Sequence, residues 1–187
     1  MTGFLSDYSG EFDPDFSHEK LGREMLIKAA KANSDYLRRL DGTWYVTVMK
    51  RFGNEAAFDC DAGIWKKFIL YEAKSVSEMY NIKGDDVAAV LKLIQASPWM
   101  WAYQREYNLI DNNCGTITCR NCETLYNLEK EGTRRYEQIC NVLCRSLFEL
   151  RAHYINRAIK LIPLQLPPRE EGSDVCCRWE FRLEEKI

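Results

Sequence analysis

Seven of the eight cysteines fall between Cys114 and Cys177, and their spacing suits a thiolate metal site. Cys119 and Cys122 form a C-x-x-C pair, which lets two sulfurs reach one ion from a tight turn. Cys140 and Cys144 are four residues apart, so a helix carrying them brings both to one side. Cys176 and Cys177 open a stretch that alternates apolar and polar residues, which turns Cys177 inward with Trp179 and Phe181 and leaves Cys176 facing outward. The spacing allows Cys119 and Cys122 with Cys140 and Cys144, or equally a set that Cys177 enters while Cys144 stays structural; the expected ligands of a zinc ion are Cys119, Cys122, Cys140 and Cys177, with Cys144 competing with Cys119 for the fourth place. Iron–sulfur ligation uses the same thiolates and is the less favoured cofactor reading. The competing structural expectation is that several of these cysteines are small core residues.

One carboxylate also stands out. Glu72 shares a helix face with Trp65, Phe68, Ile69, Val76 and Met79, so burial would either demand a cationic partner or raise its pKa into a range useful for proton transfer. It is the candidate catalytic residue. With a metal-bound water it would serve hydrolysis of a C–N bond; paired with Arg or Lys it would be structural. The two histidines, His18 and His153, sit at helix ends by pattern and give a Cys-His or Ser-His-Asp mechanism little to work with. No phosphate-binding glycine loop, dinucleotide fingerprint, H-E-x-x-H or G-x-S-x-G occurs.

The elements that must position these residues read as helices first and strands afterwards. After an acidic, aromatic arm over 1–16, Ser17 offers an N-cap, and Leu21, Met25, Ala29, Ala32, Tyr36 and Leu40 recur at helical spacing. Asp41-Gly42 predicts a break, Trp44 to Phe52 a short helix ending before Gly53, and Trp65 to about Tyr80 a longer one. Asp85 or Asp86 caps a helix that ends ahead of Pro98. Residues 101–110 and 115–119 read as a hairpin turned at Asp111-Asn112-Asn113, 134–154 as a long helix, and 155–166 and 175–184 as strands. Cys60 has no cysteine neighbour in sequence and reads as structural or exposed.

A chain of 187 residues with 46% hydrophobic content builds one core, so residues 1–187 are expected to form a single α+β domain. Its form would be a helical N-terminal half packed on an antiparallel sheet, with one long helix inserted between strands. A net charge of -2 argues against a nucleic-acid partner, which needs clustered basic residues. The acidic start and the lack of a long apolar run predict a cytoplasmic protein without membrane contact. Trp44, Tyr45, Trp99, Trp101 and Tyr103 supply material for a small-molecule pocket, and a homo-oligomer is compatible with the sequence.

Together, LDGTWYVTVMKRFGNEAAFD, the Trp65–Lys74 segment, SPWMWAYQREY, the cysteines of TCRNC and ICNVLC, and the closing LPP…CCRWEF resemble proteins near the L-2-amino-thiazoline-4-carboxylate hydrolase-like family. The likeness spans about residues 15–184 and is looser toward vinyl-4-reductase type ligand-binding domains. The resemblance implies a helical N-terminal half, a site lined by Cys122, Cys140 and Cys177, and hydrolysis of a small cyclic amidine. The cysteines that precede the Pro-Pro pair in that pattern are replaced here by residues of Ile162–Pro168.

Overall fold

The structure is a computed structural model that describes residues 4–184. It is an α+β domain: three helices, a hairpin, a helical insertion and two further strands, with a four-stranded antiparallel sheet in the order β1-β2-β4-β3. Among the described residues, no helix is long and apolar enough to cross a membrane.

Within the arm, Tyr8 stacks on Phe16 with ring centres 4.3 Å apart, Leu5 bridges to Leu21, and Phe4 and Phe12 stay exposed. The first three residues of the proposed arm lie outside the described residues. Ser17 leads only into a short 3-10 turn; α1 (Arg23–Phe52) starts after Gly22. The expected break at Asp41-Gly42 does not occur, and α1 runs straight through it. A mid-helix glycine costs about 1 kcal/mol, and two contacts outweigh it: Asp41 accepts the Trp65 indole N–H at 2.8 Å, and Tyr45 is buried one turn later. The chain does reverse at Gly53, whose φ of 88° is open to glycine without strain, and α2 (Asn54–Met79) folds back along α1.

Asp86 caps α3 (Val87–Ala96) by accepting the Ala89 N–H at 2.9 Å. A 3-10 turn at Pro98–Ala102 then delays β1 (Gln104–Asp111), which hairpins into β2 (Cys114–Arg120). Between β2 and β3 lie α4 (Glu123–Lys130), a π-helical stretch Glu137–Cys144, and α5 (Arg145–Ile155). The expected strand 155–166 shrinks to β3 (Ile159–Gln165), because α5 holds Ile155 and a turn follows. β4 (Val175–Leu183) closes the sheet between β2 and β3.

The main core lies between one sheet face and two helices. Val87, Val90, Leu91 and Ile94 of α3 and Phe148 and Ala152 of α5 meet Ile117, Ile159, Leu161, Trp179 and Phe181 of the strands. The opposite face carries Glu106, Thr118, Arg178 and Arg182, as antiparallel sheets wetted on one side do. At the end of the inner face, where β2 and β4 run out under α4, the core stops and a cavity begins.

Candidate metal centre

Six of the eight cysteines line one cavity of about 80 Å³. Cys119 comes from β2, Cys122 from the N-cap of α4, Cys140 and Cys144 from the π-helical stretch, and Cys176 and Cys177 from β4. Tyr103, Trp65, Trp99, Leu147 and Phe148 complete much of the wall. One water needs at least about 10–15 Å³ by this kind of measure, so the space suits an ion with a few small ligands. All four cysteines expected to ligate zinc are therefore brought together, and Cys144 and Cys176 join them. Cys60 is exposed on α2, and Cys114 does not line the cavity.

The strand register accounts for much of this convergence. Cys119 and Cys177 are direct partners across β2 and β4. The next pair is Arg120 with Val175, so Cys176 is an extra residue on β4, a β-bulge. The bulge overturns the expectation that Cys176 faces outward: strict alternation fails there, and Cys176 is 2% exposed and lines the same cavity as its neighbour. Its sulfur accepts the backbone N–H of Cys122 at 3.2 Å, which also holds the start of α4 against β4. Cys140 and Cys144, four residues apart in the π-helical stretch, both line the cavity.

Cys122 and Cys177 are the thiol neighbours of Cys119, and Cys144 is that of Cys140. Among the described residues, no three or more Cys, His, Asp or Glu side chains are arranged to hold a metal ion. The thiols are poor nucleophiles as they stand. The hydrogen bond with Cys122 lowers the Cys119 pKa, but contact with Cys177 and burial push it up to about 12. Contact with Cys119 and burial raise Cys122, contact with Cys144 and burial raise Cys140, and burial raises Cys176. Thiol chemistry that needs a free thiolate near neutral pH is disfavoured for these four residues.

Glu72 is buried, as its place on the α2 face implied, but it does not line the cavity. Its carboxylate accepts from Ser97 Oγ at 2.5 Å and from Arg151 Nη2 at 2.6 Å, the arginine pairing weighed against a proton-shuttle role. Arg151 itself reaches the cavity wall. Of the aromatic set, Trp99 and Tyr103 line the cavity, Trp44 and Trp99 face a separate apolar groove of about 300 Å³, Tyr45 faces a polar one, and Trp101 is largely exposed. His18 and His153 are both exposed.

Two features escaped the sequence reading. Arg105 lines the cavity, and its only signal was a cation at the inward parity of β1 between Tyr103 and Tyr107. Asp41 and Asp61 face each other between α1 and α2; burial and the Asp41 charge push Asp61 up to about 7. They lie 20 positions apart on helices whose crossing no local pattern specifies.

Fold and site together define an α+β domain whose thiols gather in a small pocket at one end of its sheet. The chain belongs to a protein family of unknown function, DUF6125, whose model matches residues 17–183. No curated protein and no solved structure matches it.

Proposed function

We propose that this is a metal-binding protein whose cysteine-lined cavity holds a soft divalent ion, zinc in the first instance, as a thiolate complex. One observation carries the reading: six cysteines from four separate elements, spread from Cys119 to Cys177, reach one small space. Cysteines that only filled gaps would need no common destination. Cys119, Cys122, Cys140 and Cys177 remain the primary ligands, with Cys144 and Cys176 within the same lining. Each thiol swings on a single side-chain torsion, so the step from the present cavity lining to a coordination shell would need rotamer changes rather than a new fold. A reducing, cytoplasmic setting would keep all eight cysteines as the free thiols seen here.

Hydrolysis of a small cyclic amidine or amide asks for more: an open coordination position, a base beside it and a route for substrate. Glu72 is engaged by Arg151 and Ser97, and the cavity is small and walled by rings. Metal holding is therefore better supported than catalysis, and an organic ligand is the less favoured occupant because of the same small volume.

The test is elemental analysis of protein purified without affinity-metal resin and then loaded with zinc. Wild type should retain stoichiometric metal. Cys119→Ser, Cys140→Ser and Cys177→Ser should each lose most of it, Cys176→Ser should also reduce it, and Cys60→Ser should not. Equal metal in all of them, or none in the wild type, would remove the site.

A further inference from the structure

Arg105 stands on β1 directly opposite Cys119, which in turn stands opposite Cys177, so a guanidinium and two thiols form one row across three strands on the cavity side. The guanidinium carbon lies 5.0 Å from the centre of the Tyr103 ring and 5.3 Å from that of Phe148. Its Nε and Nη1 are buried and make no hydrogen bond. The second cavity arginine, Arg151, is neutralised by Glu72. Arg105 makes no ion pair with a carboxylate among the described residues. Another donor of the lining, Trp179 Nε1, is likewise buried without an acceptor.

Burying a cation without its counter-charge removes a large share of a domain's stability, and aromatic rings offset only part of that. A pocket with three orphan donors and one unpaired positive charge lacks an anion. The proposed metal centre would supply one. A divalent ion bound by two thiolates is neutral, by three carries a charge of -1 and by four -2, each thiol having released its proton to solvent. We infer that Arg105 is the counter-cation of a metal–thiolate centre of net negative charge, with three or more thiolates on each divalent ion. The inference rests on the metal-binding reading above and specifies what that site holds. Arg105 is then a positioning residue: it selects for an anionic centre beside Cys119 and Cys177 and takes no part in ligation.

Cobalt(II) titration of the reduced, metal-free protein, followed by thiolate-to-metal absorption, tests this alongside thermal unfolding of the same metal-free samples. Arg105→Met and Arg105→Gln should bind cobalt at least about tenfold more weakly, as for loss of a close charge partner, whereas Arg105→Lys should stay near wild type. The neutral variants should melt, without metal, at the wild-type temperature or above it, because they no longer bury an unpaired cation. That combination separates a counter-cation from a packing residue. A neutral variant that binds as tightly as wild type overturns the inference and leaves the metal site standing. A lower melting temperature or failure to fold in the metal-free neutral variants also overturns it. Wild type that binds no cobalt removes the metal-binding reading itself. Sodium phosphate and sodium acetate are the control anions. If either raises the melting temperature of metal-free wild type but not of Arg105→Met, the occupant is a free oxyanion and the inference falls.

Discussion

Glu72 and Asp61 are both carboxylates buried on α2, and their surroundings set them apart. Glu72 meets a guanidinium and a hydroxyl. Asp61 meets another carboxylate, Asp41, in a site that burial makes hostile to a second charge, and its pKa rises to about 7 from an ordinary 3.8. Because the folded state holds this proton more tightly than the unfolded chain, the pair's contribution is greatest below about pH 4 and falls as pH rises toward about 7. Asp61→Asn keeps a donor toward Asp41 without the titration. Relative to wild type, the variant should lose less stability between pH 5 and pH 8 and melt several degrees higher at pH 8, where about 1 kcal/mol corresponds to about 2–4 °C for a chain of this size. Parallel melting-temperature profiles for the two proteins would show that Asp61 is already ionised across this range.

At the scale of elements, close approach between α3 and the hairpin depends on one missing side chain. A Cβ on Gly115 of β2 would come within 2.8 Å of Leu91 Cδ1, 3.1 Å of the Asn108 carbonyl oxygen and 3.3 Å of Val87 Cγ1. Gly115→Ala should therefore destabilise the fold by about 1–3 kcal/mol, as overpacking does. Gly42, inside α1, has open space where its Cβ would go. There the same substitution should stabilise by roughly 0.5–1 kcal/mol, through helix propensity alone. Urea unfolding of both variants checks the opposite signs; a neutral Gly115→Ala would mean that α3 can slide away from the sheet without cost. The bulge at Cys176 acts at this scale too, since it changes the strand alternation so that a second cysteine of β4 reaches the cavity.

Across the whole molecule, the proposed ligands would add a tie between β2, β4, α4 and the π-helical stretch beyond the β2–β4 ladder and the Cys122 N–H to Cys176 Sγ hydrogen bond. A metal bound there would be bound by the folded chain alone, so its binding energy adds to global stability. Zinc at 100 times its dissociation constant should contribute about 2.7 kcal/mol. The expected result in calorimetry is a rise in Tm of about 5–10 °C, reversed by a chelator. An unchanged Tm with zinc demonstrably bound would place the ion outside the cooperative core.

What the sequence determined by itself was whatever a local period or a local motif can carry. The helical stripe of α2, a cap at Asp85 or Asp86, the stop before Pro98, the hairpin at Asp111–Asn113 and the inward side of Cys177 all depend on neighbours a few residues away. The class of fold followed from the order of those periods, and the cysteine cluster from spacing. The tertiary structure decided everything that depends on one element crossing another. Gly42 stays helical because Asp41 reaches Trp65 on the neighbouring helix. Cys176 turns into the cavity because β2 and β4 slip by one residue at their end. Glu72 finds Arg151, 79 positions away, and Asp61 finds Asp41. Arg105 is left facing thiols because it shares a row with Cys119 and Cys177. Pairings of this kind are set by register and helix crossing, whose energies come from the assembled core and leave no periodic trace along the chain.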